Sequence, residues 1–302
     1  MNKNIRNFTI SLSFVPYLLW SIPLKIYSYF LNLLKPGFGY FWDDLQIKKI
    51  QQMHQEVKHE TQNSIFFTAN FFVPNNICRN RVRTFSIKEP RTLAWIDQYG
   101  GEGAFFDIGA NIGLYSIYYA STKKANVYAF EPSFFNLAIL AKNININGLS
   151  NLISVVSNPL TNVSNFSEFS LTSLAEGGSR SSFGVGYGYD GLPIKKKLHY
   201  KSFGFSLDDL FKFGMLTEYP KLIKIDVDGI EPLILNGAIN TLKNPNCQTV
   251  LVEVTDKFYE QKIGVKRILE ATGFIRDESH IKVSPKIENI PDLYNQIWVK
   301  RN

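Results

Sequence analysis

The sequence predicts an α/β protein built around a mostly parallel β-sheet. From Gly103 onward, short apolar runs alternate with segments of helical periodicity, a pattern typical of βαβ units. Two consecutive runs end in a carboxylate followed by a turn, Asp107-Ile108-Gly109 and Glu131-Pro132. Ligands of such sheets bind at the carboxyl ends of the strands, so these acids are candidate site residues.

The predicted strands and helices follow one another along the main body of the chain. We expect strands at 105–108, 127–130, 152–156, 222–227 and 249–254, and helices at 112–121, 133–145, 231–242 and 258–272. Two more strand-like runs lie near 274–276 and 296–299. Residues 157–220 are rich in Ser, Gly, Asn and Tyr, and they predict an inserted hairpin with loops.

Three regions of the 302-residue chain differ in composition. Residues 1–42 form an apolar, basic leader. Residues 43–90 form a polar N-terminal extension, expected to be irregular apart from a strand-like run at 65–73. Residues 91–302 form the main domain, which we expect to begin with a helix near Pro90.

The net charge of +7 is concentrated in the first two regions. Residues 1–90 carry 11 Lys and Arg against 5 Asp and Glu, whereas residues 91–302 carry 22 against 21. A nucleic-acid enzyme more often carries its basic excess on the catalytic body, so nucleic acid is not an expected partner. The two cysteines, Cys78 and Cys247, exclude a disulfide scaffold and indicate a reducing, cytoplasmic location.

The leader carries four basic residues and no acid, and 17 uncharged residues run from Phe8 to Leu24. Pro16 and Pro23 interrupt this run, which argues against a spanning helix of about 20 apolar residues. Its aromatic residues beside lysines suit the membrane interface, so a peripheral membrane contact through residues 1–42 is one expectation. A helix packed on the domain and a cleaved signal or true span are the alternatives.

The first strand ends in a D-x-G-x-x-x-G turn formed by Asp107, Gly109, Asn111 and Gly113. A dinucleotide loop needs a glycine where Asn111 stands, because its backbone must approach a pyrophosphate, and the acid would repel that anion. S-adenosylmethionine is cationic and has no phosphate, so it suits this turn better than a nicotinamide cofactor does. Glu131, at the end of the second strand, is placed to accept hydrogen bonds from the two ribose hydroxyls.

A third group of acids closes the strand at 222–227. Asp226, Asp228 and Glu231 follow this strand, and Glu253 ends the next one. Carboxylates so close together can serve as a general base or bind a divalent metal. Helix capping by Asp228 and Glu231 is the alternative.

Other candidates are weaker. His199, beside the basic run 195–197, is a candidate base, whereas His54, His59 and His280 are scattered. Residues 186–191 match G-x-G-x-x-G literally, but no strand precedes them and no helix follows, so they predict a loop.

Six motifs resemble the FkbM family of S-adenosylmethionine-dependent methyltransferases, namely FFDIGANIGLYS, YAFEPS, NININGL, FSLDDL, LIKIDVDGIE and LVEV. The resemblance implies a class I methyltransferase fold, a Rossmann-like seven-stranded sheet of order 3-2-1-4-5-7-6 with the last strand antiparallel. It also implies a cofactor loop at Asp107, Gly109, Asn111 and Gly113, ribose binding by Glu131, and a catalytic or metal-binding acid at Asp226. The family's motif more usually reads D-V-E-G, with Glu where this chain has Asp228.

The predicted function is methyl transfer from S-adenosylmethionine to a hydroxyl of a carbohydrate, glycoconjugate or related natural product. The expected partner is therefore a small-molecule or glycan acceptor, and Asp226 or His199 is the expected base. A protein that binds the cofactor but acts on a lipid or nucleic acid, or that is not catalytic, is the alternative. The sequence leaves the oligomeric state open.

Overall fold

A seven-stranded mixed β-sheet organises the unit His54–Asn302, one of two compact units of the chain, the other being Met1–Met53. The computed structural model describes residues 52–62, 64–278 and 292–301, together with a few helical residues between 26 and 50. Most of the leader and His280 lie outside these residues, so the expectations for both stay predictions. Within the described part, none of the helices combines the length and the apolar character that crossing a membrane requires.

Strands and helices alternate through most of the unit His54–Asn302. The described strands are β1 (His54–Glu60), β2 (Phe66–Phe72), β3 (Ala104–Ile108), β4 (Val127–Phe130), β5 (Ile153–Val156), β6 (Asn165–Leu171), β7 (Ser181–Phe183), β8 (Leu198–Gly204), β9 (Pro220–Ile225), β10 (Thr249–Thr255), β11 (Phe274–Arg276) and β12 (Leu293–Lys300). The described helices are α1 (Asn76–Arg83), α2 (Phe85–Lys88), α3 (Pro90–Tyr99), α4 (Leu114–Lys123), α5 (Phe134–Ile146), α6 (Leu207–Lys212), α7 (Glu231–Asn236), α8 (Ile239–Lys243) and α9 (Tyr259–Ala271).

The order of the large sheet is β5-β4-β3-β9-β10-β12-β11. Strands β3, β4, β5, β9 and β10 pair in parallel, and β12 pairs antiparallel with both of its neighbours. Counted along the chain, this is the order 3-2-1-4-5-7-6 with the last strand antiparallel. The predicted fold class is confirmed.

The central strands are buried on both faces, which explains their continuous apolar sequences. Every residue of β3 is buried, and so is every residue of β10. Phe105 packs on Trp95 and Tyr119 on one face of β3, while Phe106 packs on Tyr128 and Phe211. This packing fixes the strand ends at which the candidate site lies.

The N-terminal extension is more regular than expected. It contains an antiparallel hairpin of β1 and β2, followed by α1 and α2. The polar sequence of β1 concealed a strand because only Val57 of its seven residues is buried. The expected strand at 65–73 is confirmed, but the expectation of irregular structure around it is wrong.

The insertion also carries a sheet of its own. Strands β7, β6 and β8 form a three-stranded antiparallel sheet in that order, where a hairpin with loops was expected. The expected helix at 231–242 is two helices, α7 and α8. The break falls at Gly237, where a Cβ atom would lie 2.2 Å from the carbonyl oxygen of Thr161.

Candidate functional site

A cavity of about 280 Å³ lies at the carboxyl ends of β3, β4, β9 and β10. Its wall is completed by the insertion and by α1 and α2. A smaller cavity of about 40 Å³ shares several wall residues with it, namely Arg81, Lys88, Gly109, Asn111 and Asp226. The position at the strand ends is the one that ligands occupy in open parallel sheets.

The turn after β3 requires its two glycines for packing. Gly109 and Gly113 both have φ of +87°, a region that other residues rarely adopt. A Cβ atom at Gly109 would lie 2.0 Å from the Asp226 carbonyl oxygen, and one at Gly113 would lie 2.5 Å from Leu140. Gly109 lines both cavities, whereas Gly113 lines neither. The roles of both glycines in cofactor binding stay predictions.

Asp107 lies beneath the cavity rather than on its wall. Its side chain is fully buried, and Oδ2 accepts a hydrogen bond of 2.6 Å from Ser116. Oδ1 has no hydrogen-bond partner within the described chain. Burial raises the pKa of Asp107, and the nearby Lys224 ammonium and the Ser116 hydroxyl oppose that rise.

Asn111 and Glu131 meet on the cavity wall. The backbone N–H of Asn111 donates to Oε2 of Glu131 at 2.8 Å, and the N–H of Ser133 donates to Oε1 at 2.8 Å. Glu131 is 5% exposed, and burial raises its pKa to about 7 against these two bonds. The Asn111 side chain donates to the carbonyl of Gly178, and its own Oδ1 is buried without a partner in the described residues.

Asp226 forms an ion pair with a lysine that sequence reasoning did not single out. The Lys224 ammonium is 1% exposed and lies 2.8 Å from Oδ2 of Asp226, whose side chain is 27% exposed on the cavity wall. Burial alone would raise the pKa of Asp226, but the charge and the hydrogen bond of Lys224 hold it below its usual value. The carboxylate is therefore ionised and reachable.

The other acids of this group have different environments. Asp228 lines the cavity, and its Oδ2 accepts from the N–H groups of Arg180 and Ser181 at 2.7 and 3.3 Å. Burial, with the Asp226 charge, raises the pKa of Asp228 to about 6. Glu253 also lines the cavity, and burial, with the charge of Asp226, raises its pKa well above the usual value.

Glu231 has a structural role. Its Oε1 accepts from the N–H groups of Val227 and Gly229, and its Oε2 accepts from the Gln261 side chain at 2.6 Å. These bonds hold the turn between β9 and α7. The donors precede α7, whose N-terminus has no side-chain cap, so the helix-capping alternative is not observed for this residue. The described residues contain no group of three or more His, Cys, Asp or Glu arranged to hold a metal ion.

His199 is not on the wall of either cavity. It lies on β8 opposite Ser170 with an exposed side chain, and its neighbour Tyr200 is the residue that packs inward on Phe169. The structure does not bring His199 and Asp226 together, because alternation along the strand turns His199 away. The geometry does not support the expectation that His199 is a base.

Several wall residues were not assigned to the site from the sequence, among them Arg81 and Lys88. Arg180 and Tyr189 belong to the segments 177–182 and 186–191, for which the sequence favoured solvated loops. Arg81 and Lys88 belong to α1 and α2, in the extension that was expected to be irregular. Tyr189 belongs to the loop at 186–191, whose Gly188 carbonyl packs on Gly229 beside Asp228. No sequence motif predicts that these side chains lie on the cavity wall, because tertiary packing of their elements brings them there.

The strand order and the site at the strand ends define a class I methyltransferase fold. The profile described as the methyltransferase FkbM domain matches residues 107–282, more than half of the chain. The chain therefore belongs to the FkbM family of methyltransferases. A comparison with curated protein sequences finds no match.

Several solved structures are similar in fold at low identity. The precorrin-6Y C5,15-methyltransferase of Geobacter metallireducens has 11% identity and a TM-score of 0.42, over 73% of this chain and 88% of that one. The fibrillarin pre-rRNA processing protein of Methanococcus jannaschii has 13% identity and a TM-score of 0.42, over 82% and 83%. TrmK of M. capricolum, in complex with S-adenosylhomocysteine, has 14% identity and a TM-score of 0.37, over 70% and 68%. At such values these similarities do not bear on the substrate.

Proposed function

We propose that this protein transfers a methyl group from S-adenosylmethionine to a hydroxyl oxygen of a carbohydrate or glycoconjugate. The observation that carries the proposal is the pairing of Glu131 with the Asn111 turn on the wall of one cavity that also holds Asp226. Family membership makes methyl transfer the reaction, and the wall chemistry supports the cofactor and the type of acceptor.

The wall residues fit S-adenosylmethionine. Glu131 is a buried carboxylate that can accept hydrogen bonds from ribose hydroxyls, and no phosphate-binding glycine loop replaces it. The unpartnered Oδ1 of Asn111 can accept from the ammonium of the cofactor. Arg81 and Lys88 line the smaller cavity beside this turn. Their N–H groups can donate hydrogen bonds to the carboxylate of S-adenosylmethionine. When bound, the cofactor supplies a methyl group activated by the sulfonium charge.

Asp226 is the proposed proton acceptor. An alkyl hydroxyl is a poor nucleophile, and a carboxylate within hydrogen-bond reach removes its proton as the new bond to carbon forms. Lys224 engages Oδ2 of Asp226, and Oδ1 has no such bond within the described residues. Oδ1 is therefore the oxygen that holds the acceptor hydroxyl in place. Orientation of this kind contributes several kcal/mol to catalysis.

Asp228 is the second candidate for the base. Its pKa of about 6 lies closer to neutral pH than that of Asp226, which suits proton transfer at pH 7. Its Oδ2, however, already accepts two backbone hydrogen bonds from the insertion. We therefore assign the proton transfer to Asp226 and the support of the cavity wall to Asp228.

We further propose a cytoplasmic location with peripheral membrane contact through residues 1–42. The four basic residues and the interspersed aromatic residues of the leader support this proposal. A nearly neutral main domain supports an acceptor other than nucleic acid.

The proposed function is tested by incubating the purified full-length chain with S-adenosylmethionine labelled in the methyl group and with panels of sugars, lipids and RNA. Label that enters a sugar as a base-stable methyl ether supports the proposal. Label that enters only lipid or RNA, or tight cofactor binding with no transfer to any panel, contradicts the proposed acceptor.

A further inference from the structure

Three cationic side chains on the cavity wall form no close ion pair with a carboxylate within the described residues. They are Arg81, Lys88 and Arg180. In the described part of the chain, neither arginine forms an ion pair, and Lys88 lies 3.5 Å from Glu89. Arg81 donates through Nε to the carbonyl of Gly177, a neutral group.

The acids on the same wall are held mainly by other groups. Asp226 is paired with Lys224, which lines the smaller cavity. The charges of Arg81 and Lys88 also lower the pKa of Asp226. Asp228 and Glu131 each accept two backbone hydrogen bonds. Glu253 is only 8% exposed, and burial together with the charges of four neighbouring carboxylates raises its pKa well above the usual value. Within the described residues, none of these acids forms an ion pair with Arg180.

Arg180 occupies a position that costs backbone strain. Its φ is +68°, and the φ of Asp228, to which its N–H donates at 2.7 Å, is +64°. Non-glycine residues in this region cost free energy and concentrate at functional sites. The Arg180 guanidinium lies 5.2 Å from the centroid of the Tyr189 ring and forms no hydrogen bond within the described residues. The guanidinium is therefore positioned by the aromatic ring, and its N–H groups are available to donate hydrogen bonds to a ligand.

The two groups of cations lie in different parts of the wall. Arg81 and Lys88 also line the smaller cavity next to Asn111, whereas Arg180 and Tyr189 line only the larger one. Arg81 and Lys88 can bind the single carboxylate of the cofactor. Arg180 then remains for a second anion, which must belong to the acceptor.

We propose that the acceptor is a sugar bearing an anionic group, a carboxylate or a phosphate, which the Arg180 guanidinium binds while Tyr189 holds that guanidinium in place. The inference rests on the proposed function and narrows its substrate class. Arginine suits this role because its fork of donors matches both anions in bidentate geometry. RNA is the other polyanion to consider, but residues 91–302 carry almost no net charge, and phosphate backbones are bound by basic surfaces.

The test measures methyl transfer to matched pairs of sugars that differ only in the group at C6. Methyl glucoside is compared with methyl glucuronide and with methyl glucoside 6-phosphate, other hexoses are paired in the same way, and one arm contains an RNA oligonucleotide. The variants are Arg180→Gln, Arg180→Lys and the matched control Arg79→Gln, which alters an arginine of α1 that lines neither cavity.

We expect kcat/KM for the anionic member of a productive pair to exceed that of the neutral member by about tenfold or more. The preference should vanish in Arg180→Gln, survive in part in Arg180→Lys and remain whole in Arg79→Gln. Cofactor affinity, measured by calorimetry, should be equal in all four proteins. Comparison of kcat/KM for the carboxylate and the phosphate sugars shows which anionic group is preferred.

Four results would overturn the inference. Equal or better transfer to the neutral sugars would refute it while leaving the proposed function standing, as would a preference that persists in Arg180→Gln. Weaker cofactor binding in Arg180→Gln would assign this arginine to the cofactor. Failure of every anionic sugar, with or without methylation of the RNA, would contradict the inference, and methylation of the RNA alone would contradict the proposed acceptor as well.

Discussion

The buried ammonium of Lys224, on the wall of the smaller cavity, lies 2.8 Å from the carboxylate of Asp226. The two residues are separated by one position at the end of β9, so the alternation of a strand places both side chains on the same face. The Lys224 ammonium also lies 5.2 Å from the centroid of the Tyr115 ring and near the carboxylates of Glu89 and Asp107. One cation therefore holds several buried acids in place.

We predict that Lys224→Met raises the pKa of Asp226, because the ammonium no longer opposes the effect of burial. A carboxylate with a depressed pKa is ionised above that pKa and loses its charge as the pH falls through it. The acid limb of the pH–rate profile should therefore move to higher pH in the variant. Stability should fall by about 2–3 kcal/mol, less than for a fully buried pair because Asp226 is partly exposed. Lys201→Met, on the exposed side of β8, is the control and should change neither quantity.

We predict that Asp226→Asn lowers kcat by about 10²-fold or more and leaves cofactor affinity nearly unchanged. The amide keeps the shape of the side chain and removes the charge that accepts the proton. Asp228→Asn should lower kcat less, because its carboxylate already binds two backbone N–H groups. The measurement is steady-state kinetics with an acceptor that the wild type methylates. A wild-type rate for Asp226→Asn would remove this residue from the chemistry.

Gly109→Ala tests whether the turn after β3 depends on close packing of two strand ends. We predict that the positive φ lowers the free energy of unfolding by about 1–2 kcal/mol. The new Cβ would also lie 2.0 Å from the Asp226 carbonyl oxygen, and this clash should lower the free energy of unfolding by about 1–3 kcal/mol more. Gly148→Ala is the matched control, since φ is +66° there and no atom lies within 4 Å of its Cβ position. Equal losses in urea unfolding of the two variants would show that the contact is unimportant.

The large sheet could be predicted from the sequence because its central strands are short and mainly apolar. Residues such as Phe105 and Phe106 are apolar on both faces of β3, and the alternation with helices predicts a mostly parallel sheet. The strand order was an implication of the resemblance to the FkbM family. Strand β1 escaped prediction since it buries only Val57. The break at Gly237 could not be predicted either, because its cause is the distant backbone of Thr161.

The candidate site was predicted only where its residues follow strands. Asp226 and Glu131 stand at strand ends in the sequence, and both line the cavity. Arg81 and Arg180 approach it through α1 and the insertion, and no local pattern indicates such long-range contacts. Asp107 also follows this pattern in the sequence, but it is fully buried and lines neither cavity, so its role in cofactor binding stays a prediction.

The leader gives a prediction that concerns membranes. The full-length chain should bind vesicles containing anionic lipid at low salt, since each of its four basic residues contributes roughly 1 kcal/mol near such a surface. Deletion of residues 1–42 should abolish this binding and leave cofactor affinity intact. A sedimentation assay makes the comparison, with neutral vesicles as the control. Equal sedimentation of the full-length and shortened chains would refute an interfacial role.

The pH dependence of cofactor binding follows from Glu131. Its pKa in the folded protein is about 7, above the ordinary 4.5, so the apo protein holds a proton there that binding of ribose hydroxyls by the carboxylate must displace. Affinity for S-adenosylmethionine should therefore rise as the pH increases through about 7 and level off above it. In Glu131→Gln this dependence on pH should disappear.

The most direct test of the account is calorimetric titration of the purified protein with S-adenosylmethionine, with its demethylated product and with NAD. We predict binding of the first two and not of NAD, and a loss of about 1–3 kcal/mol for both in Glu131→Ala, because the ribose hydroxyls lose their acceptor. Asn158→Ala, which changes another polar residue of the same wall, serves as a comparison for the effect of truncation alone. Binding of NAD in place of S-adenosylmethionine, or equal affinity of the wild type and Glu131→Ala, would contradict the assignment of this cavity.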